Sequence, residues 1–221
     1  GTKVHDMQIY QTAFVHKSAL SETIKECNER LEFMGDSVLS LVVTKHLFTS
    51  YPKAQEGFLT RIRIKLVSGP TLANFAKFLG LNRWVIMDER AQEKGWNNNP
   101  NIMEDVFEAI IGAIYLDLGM IHAREFILRI INNPQVVDFR SLLIDTNYKD
   151  VITRHCQAKK WETPIFVATQ EKNGVEKWFS VQLIVQGQIC GHGKGKSKRE
   201  AEQASSLVAL NTLKIPTQYI E

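Results

Sequence analysis

The sequence predicts a mainly α-helical domain followed by a small α+β domain, and three observations carry that expectation. Residues 29–48 and 102–116 are apolar on nearly every face, as core helices are. An α-β-β-β-α order of patterns is confined to the last third of the chain. Basic charge collects there too: from Asn147 to Glu221 there are 11 Lys and Arg against 7 Asp and Glu, and before it 16 against 17. The chain's net +3 therefore divides into +4 and −1.

The first long helix opens at Asn28-Glu29-Arg30-Leu31-Glu32-Phe33-Met34-Gly35-Asp36-Ser37. Leu31, Phe33, Met34, Val38, Leu39, Val42, Val43 and Leu47 leave little polar surface besides a stripe of acids. Glu29, Glu32 and Asp36 stand three and four residues apart, which places them along one helix face. Like charges so spaced repel by roughly 0.2–0.5 kcal/mol per pair on an exposed helix, and more when drawn out of water. Such a stripe is ordinarily a solvated face, but its apolar company asks for a counter-charge, from basic side chains or a divalent ion.

The Asn- and Gln-rich stretch 91–99 reads as an exposed loop. It leads into Ile102–Leu116, where Asp105 and Glu108 lie at i,i+3 on a second apolar helix. Packed face to face, the two helices would gather Glu32, Asp36, Asp105 and Glu108 into an all-oxygen cluster. That donor set suits Mg²⁺ or Mn²⁺ and not zinc, and no histidine lies in either segment.

Asn132-Asn133-Pro134 begins a break of mixed polarity that runs to Asn147. The expected division is a first domain over 1–138, a linker over 139–146 and a second domain over 147–215. With 221 residues and 44% hydrophobic content, the chain can bury two modest cores. No apolar run of the roughly 20 residues a membrane span needs is legible, and no signal peptide, so the expectation is an intracellular, membrane-free protein. Cys27, Cys156 and Cys190 lack metal-ligand spacing and read as reduced thiols. The four tryptophans are scattered singly, as packing residues are.

In the C-terminal part, Tyr148–Lys159 reads as a helix, and 164–169, 178–185 and 188–190 as strands, with Asn173-Gly174 a hairpin turn. Ser197 followed three residues later by Glu200 is a capping box that starts a helix running to about Leu213. Lys194, Lys196, Lys198 and Arg199 crowd its N-terminus, where free N–H groups already favour an anion.

These residues resemble the ribonuclease III family. Glu29 to Ser37 is similar to its signature, with Met34 where Leu is usual, and Asp105-Val106-Phe107-Glu108-Ala109 to its second acidic motif, with Val106 where Thr is common. Residues 12–19, Gln55-Glu56-Gly57 and Lys65-Leu66-Val67-Ser68 resemble further landmarks in the same order. Asn147 to Leu213 resembles the double-stranded RNA-binding domain. The fold implied is an all-helical ribonuclease III nuclease domain followed by that small α+β domain. Only about ten residues precede Thr12, where the family usually has another helix, so a trimmed or naturally short N-terminus is expected.

The resemblance implies an endoribonuclease that binds double-stranded RNA and hydrolyses phosphodiester bonds on both strands. Mg²⁺, with Mn²⁺ able to substitute, would be held by Glu32, Asp36, Asp105 and Glu108, without an organic cofactor. Short duplexes with 5′-phosphates and 3′ overhangs would result. Glu29 and Glu56 resemble further acidic positions bordering the site, and each is equally explained by a salt bridge, to Arg30 or Lys53. Phe33 would enter the partner in a homodimer, whose symmetry supplies the second strand's site. Thr153, Gln157, Asn173, Gly174, Lys196, Lys198 and Arg199 are the implied RNA contacts. The competing reading is a protein that sequesters duplex RNA without cutting it. A carboxylate-bridged metal oxidoreductase would want Glu-x-x-His pairs, and neither acidic motif has one.

Overall fold

The structure is a computed structural model that describes residues 3–173 and 176–217, with side chains described outside 171–176. The chain divides into two compact units between Leu142 and Leu143. It is mainly helical, with a three-stranded antiparallel sheet confined to the second unit.

The first unit contains α1 (Met7–Ala13), α2 (Glu29–Ser50), α3 (Glu56–Leu66), α4 (Gly69–Phe78), α5 (Glu89–Glu93), α6 (Pro100–Ile131) and α7 (Phe139–Leu142). Thr12 lies in the last turn of α1. α6 is the axis, with α2 and α4 packed along it. Its start is fixed by Asn99, whose side chain accepts from the Asn101 N–H at 3.0 Å, and by Pro100, whose missing N–H costs nothing in a first turn. α2 begins with Glu29 and Glu32 in its first turn, where negative charge is favoured by the helix dipole. Phe107 ties the layers together, its ring 5.5 Å from Phe75 of α4 and 6.0 Å from Phe126.

The crossing of α2 and α6 is set by two glycines. A Cβ on Gly35 would collide with the Glu108 carbonyl, and one on Gly112 with the Leu31 carbonyl. The two backbones therefore touch where any larger residue would hold them apart.

By length and composition α6 could cross a membrane, contrary to the expectation from sequence. Its apolar length serves the core instead. Fourteen of its residues are buried, and Gly119, at φ +82°, divides it into two helical stretches. A run broken by a left-handed glycine and carrying three acids near its start is a poor span. Within the stretch expected to be a linker, α7 is anchored by the Lys65 ammonium, which donates to the Leu142 carbonyl at 2.8 Å.

The second unit has α8 (Tyr148–Ala158), β1 (Ile165–Asn173), β2 (Glu176–Val185), β3 (Gln188–Gly195) and α9 (Lys198–Thr212), with strand order β1-β2-β3. Val151, Ile152, Cys156, Leu183, Val185, Ala209 and Leu210 form its core. Asn147 and Lys149 at the start of α8 bond Gln203 and Glu202 of α9, at 2.7 and 2.6 Å.

β3 continues five residues past the expected end at Cys190, because glycine is depleted in strands on average but required in this one. Gly191, Gly193 and Gly195 face α9, and a Cβ on any of them would meet the α9 backbone, at Gly195 the Glu200 side chain as well. Their absent side chains let the helix lie directly on the strand. The capping box forms with a shifted partner. Ser197 Oγ accepts from the Glu200 N–H at 3.2 Å, and the Glu200 carboxylate accepts from the Lys196 N–H at 2.8 Å instead of the cap's own.

Candidate active site

The Gly35 and Gly112 crossing brings the acidic faces of α2 and α6 together. Glu32 and Asp36 stand one turn apart on α2, flanking Gly35, and Asp105 and Glu108 stand one turn apart on α6, before Gly112. Glu108 is only 9% exposed although it is a carboxylate. It lies against the α2 backbone at the point of closest approach.

The charges act on one another. Burial pushes the Glu108 carboxyl up to about 8, and the charges of Asp36, Glu104, Glu32 and Asp105 add to the effect. Burial, then Asp105 and Glu29, raises Glu32. Asp105 is raised by burial, while His16 and Lys17 pull it back.

Glu104 belongs to this field. Burial, Asp105 and Asp36 raise it, and its carboxylate rests on Gly69 at the start of α4, where a Cβ would displace it. It stands four residues before Glu108, the same helical spacing that aligns Glu32 with Asp36, so the sequence carried a signal for it that the reading of the pairs passed over.

Among the described residues no group of three or more His, Cys, Asp or Glu side chains forms a ready metal cage. The donors nevertheless fit a hard divalent ion. They are all carboxylate oxygens, and the burial and mutual repulsion that raise Glu108 toward neutrality are what a doubly charged cation offsets.

One wall of the site comes from the loop after α1. The Asn28 N–H donates to the Val15 carbonyl at 2.9 Å and the His16 N–H to the Ile86 carbonyl at 2.8 Å, which pins His16 and Lys17 beside the start of α2. A cavity of about 280 Å³ lies there, lined by His16, Lys17, Asn28, Glu29, Glu32 and Asp105. Glu29 forms an ion pair with Lys17 at 3.3 Å, not with Arg30. Glu56 opens α3, its carboxylate accepting from the Thr60 hydroxyl at 2.8 Å. Phe33 is 76% exposed on α2.

In the second unit, Lys196, Lys198 and Arg199 are exposed around the start of α9, and the Lys196 ammonium lies 5.9 Å from the Trp178 ring centre. On α8, Gln157 is exposed, and the half-buried Thr153 hydroxyl donates to the Lys149 carbonyl at 2.8 Å. Asn173 ends β1 opposite Glu176, but its side chain and all of Gly174 lie outside the described residues.

Residues 6–134 match the family described as Ribonuclease-III-like, and residues 148–213 the Double-stranded RNA binding motif. Putative protein A464R of Paramecium bursaria Chlorella virus 1 is 40% identical over 220 residues, covering 100% of this chain and 78% of its own length. Ribonuclease 3 of Protochlamydia amoebophila (strain UWE25) is 33% identical over 219 residues, covering 98% of this chain and 90% of its own. Among solved structures, the nuclease domain of Ribonuclease III from Campylobacter jejuni superposes with a TM-score of 0.56 at 38% identity. That match covers 62% of this chain and 91% of that one.

Proposed function

Because the chain belongs to the ribonuclease III family, we propose that it is an endoribonuclease that hydrolyses both strands of double-stranded RNA with Mg²⁺, or Mn²⁺ in its place. The observation that carries this is the meeting of Glu32, Asp36, Asp105 and Glu108 at one helix crossing, where burial first and the neighbouring charges after it raise Glu108 to about 8.

Those four carboxylates would hold the divalent ion. When bound, it supplies activation of water and neutralisation of charge on the phosphoryl oxygens. The chain's own contribution is preorganisation. The glycine contact fixes the acids' backbones, the start of α4 seats Glu104, and Lys17 offsets charge at Glu32 and Asp105. Glu29 is a bordering residue held by Lys17, and Glu56, bonded by the Thr60 hydroxyl, is the further bordering acid.

The duplex is gripped by the second unit, with Lys196, Lys198 and Arg199 on phosphates and Thr153 and Gln157 in a minor groove. Asn173 and Gly174 would meet the next one. Phe33 projects from α2 near a cavity of about 660 Å³ whose walls include Ile9, Leu31, Met34 and Leu116. An exposed aromatic and a cavity whose walls mix those apolar residues with polar ones such as Lys25 and Arg30 suit a twofold homodimer, in which each Phe33 enters the other's cavity. A solved Campylobacter jejuni structure is described as having flexibility in a region involved in dimer formation of its nuclease domain, which supports this reading. Two such sites would leave short duplexes with 5′-phosphates and 3′ overhangs.

The test is incubation of the purified chain with a labelled long RNA duplex and Mg²⁺, beside Glu108→Gln and an EDTA control. The parent cuts duplex and spares single strands, the variant binds without cutting, and EDTA stops cleavage. Binding without cutting by the parent would turn the function to sequestration.

A further inference from the structure

We propose that the open face of the second unit's sheet binds a single-stranded stretch of RNA continuous with the gripped duplex, its bases stacked on Trp178 and His192 and its phosphates held by Lys194 and Lys196. The proposal rests on the duplex-binding reading of this unit and adds a preference for duplexes that end in an unpaired tail.

The strand register decides which side chains share that face. Val181, Leu183 and Val185 of β2 are buried, and Gly191, Gly193 and Gly195 of β3 lie against α9. Successive side chains on a strand alternate, so the residues between these point away from the helices. The pairing sets Thr169, Ser180 and Lys194 in one cross-strand row and Val167, Gln182 and His192 in the next. Trp178 lies one step before the first row, with the Lys196 ammonium 5.9 Å from its ring centre. Thr169, Gln182, His192 and Lys194 are exposed, and Trp178 and Ser180 are half-buried.

The charge on this face selects an anion. Among the described side chains of the three strands there is no Asp or Glu, and Glu171, the register partner of Trp178, lies outside them. Lys194 and Lys196 stand at the end that runs into Lys198 and Arg199, so the face is continuous with the phosphate-binding start of α9. The opposite end is a row of isoleucines, Ile165, Ile184 and Ile189, which offers nothing to a phosphate. A nucleic-acid strand therefore enters from the α9 side and stops before that row.

Unpaired bases suit the surface better than a duplex does. Trp178 and Gln182, the register partner of His192, are four residues apart on β2, about 13 Å at about 3.3 Å per residue. Between the two rings lie hydroxyl and amide groups that pair with base edges. Splayed bases stack on such rings and present those edges, whereas a duplex keeps its base faces inside the helix.

The experiment compares RNA duplexes of one sequence, blunt or carrying a short oligouridine tail at the 5′ or the 3′ end. Affinity is read by anisotropy at physiological salt in the Glu108→Gln background, which removes cleavage from the measurement. A tail on at least one end raises affinity about tenfold, the worth of stacking about one base. Replacing both Gln182→Ala and His192→Ala, on the face opposite α9, reduces that gain to at most about twofold. The same double variant keeps its blunt-duplex affinity, which also reports that the unit is folded. Ile189→Asp, on the isoleucine row, keeps the full gain.

Equal binding of blunt and tailed duplexes before any replacement on the sheet would overturn the proposal. So would a gain that survives the double replacement, or one that vanishes with Ile189→Asp, which would turn the face into a surface for an apolar partner. A chain that binds no blunt duplex refutes the duplex-binding reading and this proposal with it, whereas equal binding of the two probes refutes the sheet platform alone.

Discussion

Gly35 of α2 and Glu108 of α6 are in backbone contact, and the residue whose carbonyl fills the space of a missing Cβ is also the most strongly perturbed acid of the site. Packing and chemistry are therefore joined at one point. Gly35→Ala forces α2 and α6 apart against a core that has no slack, at a cost of about 3 kcal/mol. The expected outcome is a fall in denaturation midpoint, with cleavage lost even in the fraction that folds. An unchanged midpoint would mean that the helices do not touch where the structure puts them.

Glu108 gives the metal-free chain an inverted pH dependence. Its carboxyl moves from an ordinary 4.5 to about 8 on folding, so the folded chain binds this proton more tightly than the unfolded one. Stability is then highest below about pH 4.5 as far as this group is concerned and is lost as pH rises toward 8, by up to a few kcal/mol. Glu32, Glu104 and Asp105, all raised, act in the same direction. Glu108→Gln should make that slope shallower and raise the metal-free melting temperature at pH 8, while Mg²⁺ should stabilise the parent more than the variant. Thermal melts from pH 5 to 8, with and without Mg²⁺, check all three, and a parent that gains stability across that range would contradict the burial of Glu108.

How much of this was legible in the sequence depends on separation along the chain. The paired acids Glu32/Asp36 and Asp105/Glu108 show themselves through helical spacing, and their apolar surroundings announce core helices. Glu104, four residues before Glu108, was equally legible by that spacing and was passed over; what the sequence hid is only its seat against Gly69, on another element. The wall formed by His16 and Lys17 escaped for a related reason: only the bonds from His16 to Ile86 and from Asn28 to Val15 bring that loop beside the acids. Gly191, Gly193 and Gly195 misled in the opposite direction. Their low strand preference hid the end of β3, although glycines at every second position in a strand are themselves a sign that a backbone lies close above.

Phe33 offers the sharpest test of assembly. An exposed phenyl ring on a helix of the active-site unit gains most from burial in a second copy, and a charge there cannot be buried unpaired. Phe33→Glu should run as a monomer in light scattering at concentrations where the parent is a dimer, and its double-strand cleavage should fall by at least about tenfold, with nicking of single strands surviving longer. A parent that is monomeric at tens of micromolar would remove the dimer from the mechanism.

The start of α9 makes a quantitative demand on binding. Lys196, Lys198 and Arg199 are exposed beside free N–H groups of the first helical turn, an arrangement suited to phosphates and blind to base identity. Each contact that neutralises a phosphate releases counterions, so the affinity of the parent should fall steeply between 50 and 200 mM salt, roughly as a power law. Replacing all three by Ala should reduce the slope of log affinity against log salt by about 2 to 3 and weaken duplexes of any sequence alike. The Lys196 replacement also removes the cation from the Trp178 ring, so Lys196→Arg, which keeps both charge and stacking, is the control. Anisotropy titrations of two unrelated duplexes across that salt range decide the matter: a slope that does not change would move the phosphate contacts elsewhere on the domain, and a loss confined to one duplex would make this helix end a reader of sequence.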